Sequence, residues 1–312
     1  MPAIARSAVL HLKSARRLAR PRPLREALGS PDDRFVFVLG SPRSGTTFLA
    51  AAIGSVPGFV DLGEVAAVKA SVPYLAGLPP EQAAARLRRL LAVTRALGLV
   101  RGLRGVEQTP ETAFVASALV RAFPRARLVH ALRDGRDVAC SLLEKGWVGR
   151  KAGEDDAGLA YGPHPRFWVE RERRDEFRTV SEARRAAWVW RAYVTAVRSA
   201  GLAVHEVRYE ALATDRAATA AALASFLDAP VEPLAAAFAD AHSGSVGRYR
   251  RDLAPAQLAD VEAEAGSLLE QGWLGGQEGE DDAGLAYGPH PRFWVEPERR
   301  DEFRTASEAR RA

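Results

Sequence analysis

A short apolar strand that runs into a glycine-rich turn and then into a helix constrains this chain more than any other feature. The stretch covers residues 35–49 and reads FVFVLGSPRSGTTFL. Its glycines, Gly40 and Gly45, have the GxxxxG spacing of loops whose backbone N–H groups bind phosphate at a helix N-terminus. The sequence therefore predicts an anion-binding loop between a strand and a helix of an α/β fold.

The loop lacks the lysine that follows the second glycine in loops that bind nucleoside triphosphates. Thr46 stands at that position, and Arg43 comes two residues before the second glycine. We therefore expect the loop to hold a phosphate-like group other than the β and γ phosphates of a nucleoside triphosphate.

Short apolar runs at residues 34–39, 126–132 and 203–209 predict strands, and the long Ala-, Leu- and Arg-rich segments between them predict helices. This alternation is typical of a parallel sheet covered on both faces, in which ligands bind at the carboxyl ends of the strands. The predicted fold class is α/β, a P-loop-type three-layer sandwich with a central, mostly parallel sheet flanked by helices.

The charge balance favours anionic ligands. The chain has 44 Lys plus Arg against 39 Asp plus Glu, a formal net charge of +5, and the basic residues are mostly arginines, which bind phosphate or sulfate in a planar, bidentate way. Their dispersal through helices, without an aromatic-and-basic module, disfavours nucleic acid as a partner.

Cys140 is the only cysteine, so a disulfide framework is excluded and a cytoplasmic location is expected.

The two ends of the chain differ from its middle. Residues 1–33 predict a basic helical leader, which is frayed or docked, or else lies on an anionic membrane surface. The segment 141–186 returns as 267–312, at an offset of 126 residues and with seven substitutions. Two copies do not make a solenoid. We expect a main domain at 34–274 and a poorly ordered tail at 275–312, which duplicates the 149–186 region; a docked regulatory tail is the alternative.

A second polar turn follows the strand predicted at 126–132. Arg133 would lie at the strand end, and Ser141 about a turn and a half into a helix that begins near Gly135, so both would reach one phosphate. The alternative is a surface cluster at a helix start, with Asp134 as its cap. Because the glycine-rich loop belongs to the same sheet, a second anion site is favoured.

Together, SPRSGTTFL and RLVHALRDGRDVACSLL resemble the two co-substrate motifs of the PAPS-dependent sulfotransferases, most closely the bacterial and tyrosylprotein-type branch. The resemblance extends from about Arg34 to Leu274. It implies transfer of the sulfuryl group of 3′-phosphoadenosine 5′-phosphosulfate (PAPS) to a hydroxyl or amine, with no metal ion. The second motif would hold the 3′-phosphate through Arg133 and Ser141. The first would hold the 5′-phosphosulfate through Arg43, Ser44, Gly45, Thr46 and Thr47.

Three further segments resemble elements of this family. Glu64 would be the general base for the acceptor, or else a solvated loop carboxylate. Tyr209 would pack near the adenine, or else be a plain core aromatic. Arg248 would contact the nucleotide from a late basic segment, or else lie in a solvated loop.

The chain departs from the family pattern at Gln108, where related sequences often have a lysine that assists at the sulfuryl group. A neutral amide brings no charge, so stabilisation of the leaving phosphate would rest on Arg43 and the loop amides. The acceptor is left open among small molecules, glycans, lipids and peptides. His164, between two prolines, is expected to be a loop residue rather than an acceptor-binding one.

Two other functions remain open at this point. A P-loop kinase or NTPase would use Asp134, which follows a strand, as its metal-binding acid, although the missing lysine disfavours this function. A non-catalytic nucleotide-binding protein would account for Gln108 and for the duplicated tail.

Overall fold

A computed structural model describes residues 35–92, 103–149, 169–242 and 244–270. In this part of the chain the strands pair in parallel to form one sheet, in the order β2-β3-β1-β4-β5. They are β1 (Phe35–Leu39), β2 (Phe59–Gly63), β3 (Arg104–Glu107), β4 (Arg127–Leu132) and β5 (His205–Arg208). The predicted α/β class with a parallel central sheet is confirmed.

Helices connect the strands and cover the sheet. They are α1 (Thr46–Ser55), α2 (Ala66–Leu75), α3 (Pro80–Leu90), α4 (Ala116–Ala122), α5 (Gly135–Glu144), α6 (Arg174–Thr179), α7 (Glu182–Ser199), α8 (Tyr209–Thr214), α9 (Arg216–Leu227), α10 (Val231–Phe238), α11 (Tyr249–Asp252) and α12 (Pro255–Leu269), with 3₁₀ helices at Pro110–Val115 and Arg171–Arg173.

Two apolar cores lie on opposite faces of the sheet. Because strand side chains alternate between faces, Phe35 and Phe37 of β1 pack into one core, with residues of α3, α4, α5, α7 and α12. Val36 and Val38 pack into the other core, with residues of α1, α9 and α10. The sheet is therefore the middle layer of a three-layer sandwich, as predicted.

Strands β1, β4 and β5 occur where the apolar runs predict them, but β2 and β3 were not predicted. Strand β3 has only four residues and includes Gly105, whose missing Cβ leaves room for Leu62: a Cβ there would lie 2.7 Å from Leu62 Cδ1. Strand β2 contains Asp61 and ends at Gly63. Polar residues and glycines interrupt the β-branched pattern on which strand prediction depends.

The parallel register brings the polar segments that follow the strands to one edge of the sheet. Leu39 at the end of β1 pairs with His130 of β4, Leu132 pairs with Arg208, and Phe37 pairs with Glu107 at the end of β3. The segments that begin at residues 40, 108, 133 and 209 therefore leave the sheet side by side.

Candidate functional site

The glycine-rich loop between β1 and α1 turns sharply at left-handed or near-left-handed residues. Gly40 has φ +148°, Arg43 +71° and Gly45 +90°. A Cβ on Gly40 would lie 2.4 Å from the carbonyl oxygen of Ala131, so only glycine lets the loop pass this close to β4. The loop backbone thus curls back over the carboxyl end of the sheet.

The N-terminus of α1 is open to an anion. Its N-cap residue, Gly45, provides no side-chain cap, and the first turn contains no acidic residue. The first N–H groups of a helix have no partner within the helix, and the helix dipole favours a negative charge beside them. In addition, the hydroxyl of Ser44 is buried without a hydrogen-bond partner among the described residues. These are features of a phosphate-binding loop.

Arg133 lies where β4 ends, and its buried guanidinium donates to two backbone carbonyls. Nη1 donates to Arg43 O at 3.2 Å and Nη2 to Ser245 O at 2.7 Å. The guanidinium carbon also lies 4.5 Å from the ring centroid of Tyr209. The Arg133 carbonyl is held in turn by the indole N–H of Trp190 at 2.9 Å. Arg133 is therefore fixed against both the glycine-rich loop and the segment around Ser245.

A hydrogen bond between side chains also joins the two predicted anion-binding motifs. Arg43 Nε donates to Ser141 Oγ at 2.9 Å, and the Arg43 guanidinium lies 5.4 Å from the ring centroid of Trp147. Ser141 is a buried residue of α5, which begins at Gly135 as predicted. The arginine assigned to the first motif thus reaches the serine assigned to the second.

Asp134 is the N-cap of α5 and is committed to local contacts. Its Oδ1 accepts from Arg136 N at 2.9 Å and from Arg136 Nε at 3.0 Å, and Oδ2 accepts from Arg136 Nη2 at 2.8 Å. Both carboxylate oxygens are therefore used within one turn of the chain. This arrangement disfavours Asp134 as the metal-binding acid of a kinase or NTPase.

Tyr209 is half-buried and packs against the glycine-rich loop. A Cβ on Gly45 would come within 2.9 Å of Tyr209 Cδ2, and the Tyr209 hydroxyl donates to His242 O at 2.7 Å. The residue thus belongs to the site wall, with one ring face on Arg133.

The late basic segment also reaches the site, through its backbone. Asp137, buried in α5, accepts from Gly247 N at 2.7 Å and from Tyr249 N at 3.0 Å, and burial raises its pKa. The side chain of Arg248 forms ion pairs with Glu144 at 3.0 Å and Asp252 at 2.7 Å. Arg248 is thus near the second motif, but in this structure its charge is matched by two carboxylates.

Gln108 connects the glycine-rich loop to the segment that contains Glu64. Thr47 Oγ1 donates to Gln108 Oε1 at 3.4 Å, and Gln108 N donates to the carbonyl of Gly63 at 3.3 Å. Glu64 follows Gly63 and is exposed, with Oε2 2.7 Å from Lys69 Nζ. The structure therefore brings the predicted base segment beside α1, at the same edge of the sheet as the two motifs.

Sequence reasoning missed two buried carboxylates in this corner, Glu107 and Glu111. Glu107 Oε1 accepts from Thr109 N at 3.1 Å, from the Thr109 hydroxyl and from Val65 N at 3.4 Å. Burial nevertheless raises the pKa of Glu107 to about 7. Burial also raises the pKa of Glu111. The signal in the sequence was a pair of glutamates flanking Gln108 in a stretch that is otherwise apolar or hydroxyl-bearing.

Several sequence predictions fall outside the described residues: the leader at 1–33, His164, and the tail at 275–312. Within the described ranges, no helix has both the length and the apolarity needed to cross a bilayer. Over the same ranges, no cluster of His, Cys, Asp and Glu has the arrangement of a metal site.

A family model described as "Sulfotransferase family" matches residues 96–233. The matched range contains Gln108, Arg133, Ser141 and Tyr209, and it begins after the glycine-rich loop. No curated protein matches the chain by sequence.

Two solved structures have a similar fold. The sulfotransferase domain from the curacin biosynthetic pathway aligns with a TM-score of 0.52 and 15% identity, over 75% of this chain and 96% of that domain. The sulfotransferase domain from the Synechococcus PCC 7002 olefin synthase aligns with a TM-score of 0.50 and 14% identity, over 75% of this chain and 94% of that domain. The family model confirms the resemblance to sulfotransferases over residues 96–233, and the two solved structures show that the fold is shared.

Proposed function

We propose that this protein transfers the sulfuryl group of PAPS to a hydroxyl or amine of an acceptor. The observation that supports this best is the contact between the two motifs, where Arg43 Nε donates to Ser141 Oγ at 2.9 Å. Two anion-binding segments in contact suit a nucleotide with a phosphate on each side of its ribose. A single phosphate-binding loop would be enough for a nucleoside triphosphate.

The residues that line the site fit such a donor. The N–H groups at the start of α1 and the Ser44 hydroxyl, which is buried without a partner among the described residues, would bind the 5′-phosphosulfate, with Arg43, Gly45, Thr46 and Thr47. Arg133 donates to neutral carbonyls, so its charge is available to a 3′-phosphate, with Ser141 as a second donor. Tyr209 would pack on the adenine side. Arg248 would join the site only by leaving Glu144 and Asp252.

The reaction would be an in-line displacement at sulfur. The acceptor oxygen or nitrogen forms a bond to sulfur as the bond to the bridging phosphate oxygen breaks, and the electron pair of that bond remains on the leaving 5′-phosphate. Arg43 and the loop N–H groups are held in place before reaction, so they stabilise this charge without reorganising. Glu64 would accept the proton released by the acceptor.

A ligand-induced thermal shift separates this function from that of a kinase or NTPase. We expect 3′,5′-bisphosphoadenosine to raise the melting temperature without magnesium, because a ligand at 100 times its Kd stabilises the folded state by about 2.7 kcal/mol. Stabilisation by Mg-ATP alone would overturn the proposal.

Transfer from radiolabelled PAPS separates the enzyme from a non-catalytic nucleotide-binding protein. Cell extract incubated with the protein and labelled donor should yield a labelled acceptor, and mass spectrometry of that product would identify the acceptor class among small molecules, glycans, lipids and peptides. The Glu64→Gln variant should bind the bisphosphate normally and label about 100-fold more slowly, the usual contribution of a general base. Equal labelling by both proteins would remove Glu64 from the mechanism.

A further inference from the structure

Glu111 is a buried carboxylate whose surroundings call for an explanation. It is 0% exposed, and neither of its oxygens has a hydrogen-bond partner among the described residues. A carboxylate taken out of water destabilises the fold unless a cation or donors compensate. Lys69 provides a cation, with Nζ 3.6 Å from Glu111 Oε1.

Lys69 lies between two carboxylates that belong to different elements. It extends from α2, with Nζ 2.7 Å from Glu64 Oε2 after β2 and 3.6 Å from Glu111 Oε1 in the 3₁₀ helix Pro110–Val115. A lysine has a flexible four-carbon stem, so a single surface partner would not fix its ammonium group. A second, buried carboxylate gives that group a defined position.

The same corner restrains the backbone beside Glu64. Val65 N donates to Thr109 Oγ1 at 3.2 Å and to Glu107 Oε1 at 3.4 Å. The ionisable groups that interact with the Glu64 carboxylate include Lys69, Glu107 and Glu111. Glu64 is the most exposed of these carboxylates, and it is the one whose segment Gln108 links to the glycine-rich loop.

We propose that Lys69 and Glu111 are positioning residues for Glu64: Glu111 fixes the ammonium group of Lys69, and Lys69 fixes the Glu64 carboxylate at the mouth of the site. This inference rests on the proposed function, in which Glu64 accepts the acceptor proton. Gln108, the residue after β3 whose side chain contacts α1, is neutral. Lys69 of α2 therefore brings a positive charge into this corner from a different element.

The first test measures the contact directly and needs no acceptor. The chain has only four lysines, Lys13, Lys69, Lys145 and Lys151, so NMR of ¹³Cε-labelled lysine yields a spectrum that single variants assign. The two carboxylates raise the pKa of Lys69 against the lowering effect of burial. Glu64→Gln and Glu111→Gln should therefore each lower the titration midpoint of Lys69. Exposed Lys145 is the internal control, and its NMR signal should be the same in the wild type and in both variants.

The second test measures catalysis as release of 3′,5′-bisphosphoadenosine from PAPS, with water as the acceptor. Lys69→Met should reduce kcat about 10- to 100-fold, because a misplaced catalytic group loses most of its advantage, and should leave the KM for PAPS unchanged. Lys69→Arg should restore part of the rate, and Lys145→Met should match the wild type. Circular dichroism confirms that each variant is folded.

The outcomes separate this inference from the proposed function. If the wild type releases no bisphosphate from PAPS and labels no acceptor, the proposed function fails, and the Lys69 titration still decides whether Glu111 holds Lys69. If Glu111→Gln leaves the Lys69 midpoint unmoved, or if Lys69→Met changes KM and spares kcat, the positioning role is wrong.

Discussion

Two arginine-rich regions of this molecule use the same side chain for opposite purposes. In the candidate binding site for the sulfuryl donor PAPS, which we call the donor site, Arg133 donates hydrogen bonds to the neutral carbonyls of Arg43 and Ser245. Between α7 and α12, Arg184 and Arg191, with Arg173 from the 3₁₀ helix, donate to the buried carboxylate of Glu264 at 2.9–3.1 Å. We call this second region the Glu264 cluster.

The difference shows where an excess of positive charge becomes a binding site. In the Glu264 cluster the arginines meet carboxylates inside the protein, so their charge stabilises the packing of α7 on α12. At Arg133 the hydrogen bonds go to neutral carbonyls, and the nearby carboxylates of Asp137 and Glu210 offset its charge through space, so we expect the guanidinium to bind a ligand phosphate. The formal net charge of +5 is a property of the whole chain and does not distinguish the two regions.

The largest effect should come from removing the acid of the Glu264 cluster. Glu264→Gln keeps the volume but leaves three guanidinium groups without their shared carboxylate. We expect the free energy of unfolding to fall by about 3 kcal/mol, measured by urea denaturation, with bisphosphate affinity retained. Glu232→Gln, at an exposed position on α10, is the matched control. A loss below about 1 kcal/mol would mean that the cluster contributes little to the fold.

Removing the Arg133 guanidinium should have the opposite effect, a loss of ligand affinity rather than a loss of stability. Arg133→Met is expected to weaken 3′,5′-bisphosphoadenosine binding by about 100-fold, because a hydrogen bond between charged groups contributes about 1.5–3 kcal/mol. Isothermal titration calorimetry measures this change, with Arg89→Met on the exposed face of α3 as control. Unchanged affinity with a large loss of stability would place Arg133 in the same class as the Glu264 cluster.

Glu107 extends the comparison from buried arginines to a buried acid, because burial raises the pKa of this carboxyl to about 7. Its protonated form is favoured in the folded state, so its contribution to stability is full below the unfolded pKa near 4.5 and is lost as pH rises through 7. The stability of the wild type relative to Glu107→Gln should therefore fall by about 2–3 kcal/mol between pH 4.5 and 7.5. Urea denaturation at both pH values measures it; a constant difference would show that Glu107 does not titrate in this window.

The smallest effect is expected from truncation after Leu274, which removes the tail and keeps all of α12. Neither the melting temperature nor its shift with 3′,5′-bisphosphoadenosine should change. A gain in PAPS turnover on truncation would instead favour a regulatory tail.

The sequence predicted the parts of the site that depend on backbone geometry. The glycine spacing of residues 40–45 predicted a tight, anion-binding turn, because few other residues adopt such conformations. Arg133 and Ser141 followed from counting residues from a strand end into a helix. These features are local, so they can be read from a short stretch of chain.

Other parts of the site depend on contacts between distant segments, which the sequence does not indicate. Lys69 and Glu111 are 42 residues apart, and their pairing requires α2 to pack beside the 3₁₀ helix. Strands β2 and β3 were missed because glycine and charged residues replace the usual β-branched pattern. The hydrogen bonds of Asp137 to Gly247 and Tyr249 likewise depend on the fold of the whole domain.

The left-handed backbone of Arg43, at φ +71°, has a consequence for how the protein balances stability against binding. A side chain in this conformation costs about 1 kcal/mol, and every folded molecule bears this cost with or without a nucleotide. Glycine at position 43 would relieve the strain and remove the charge together. It would also remove the contacts with Ser141 and Trp147, so the effect of this change on stability is small, whereas a screen for bisphosphate binding would keep the arginine.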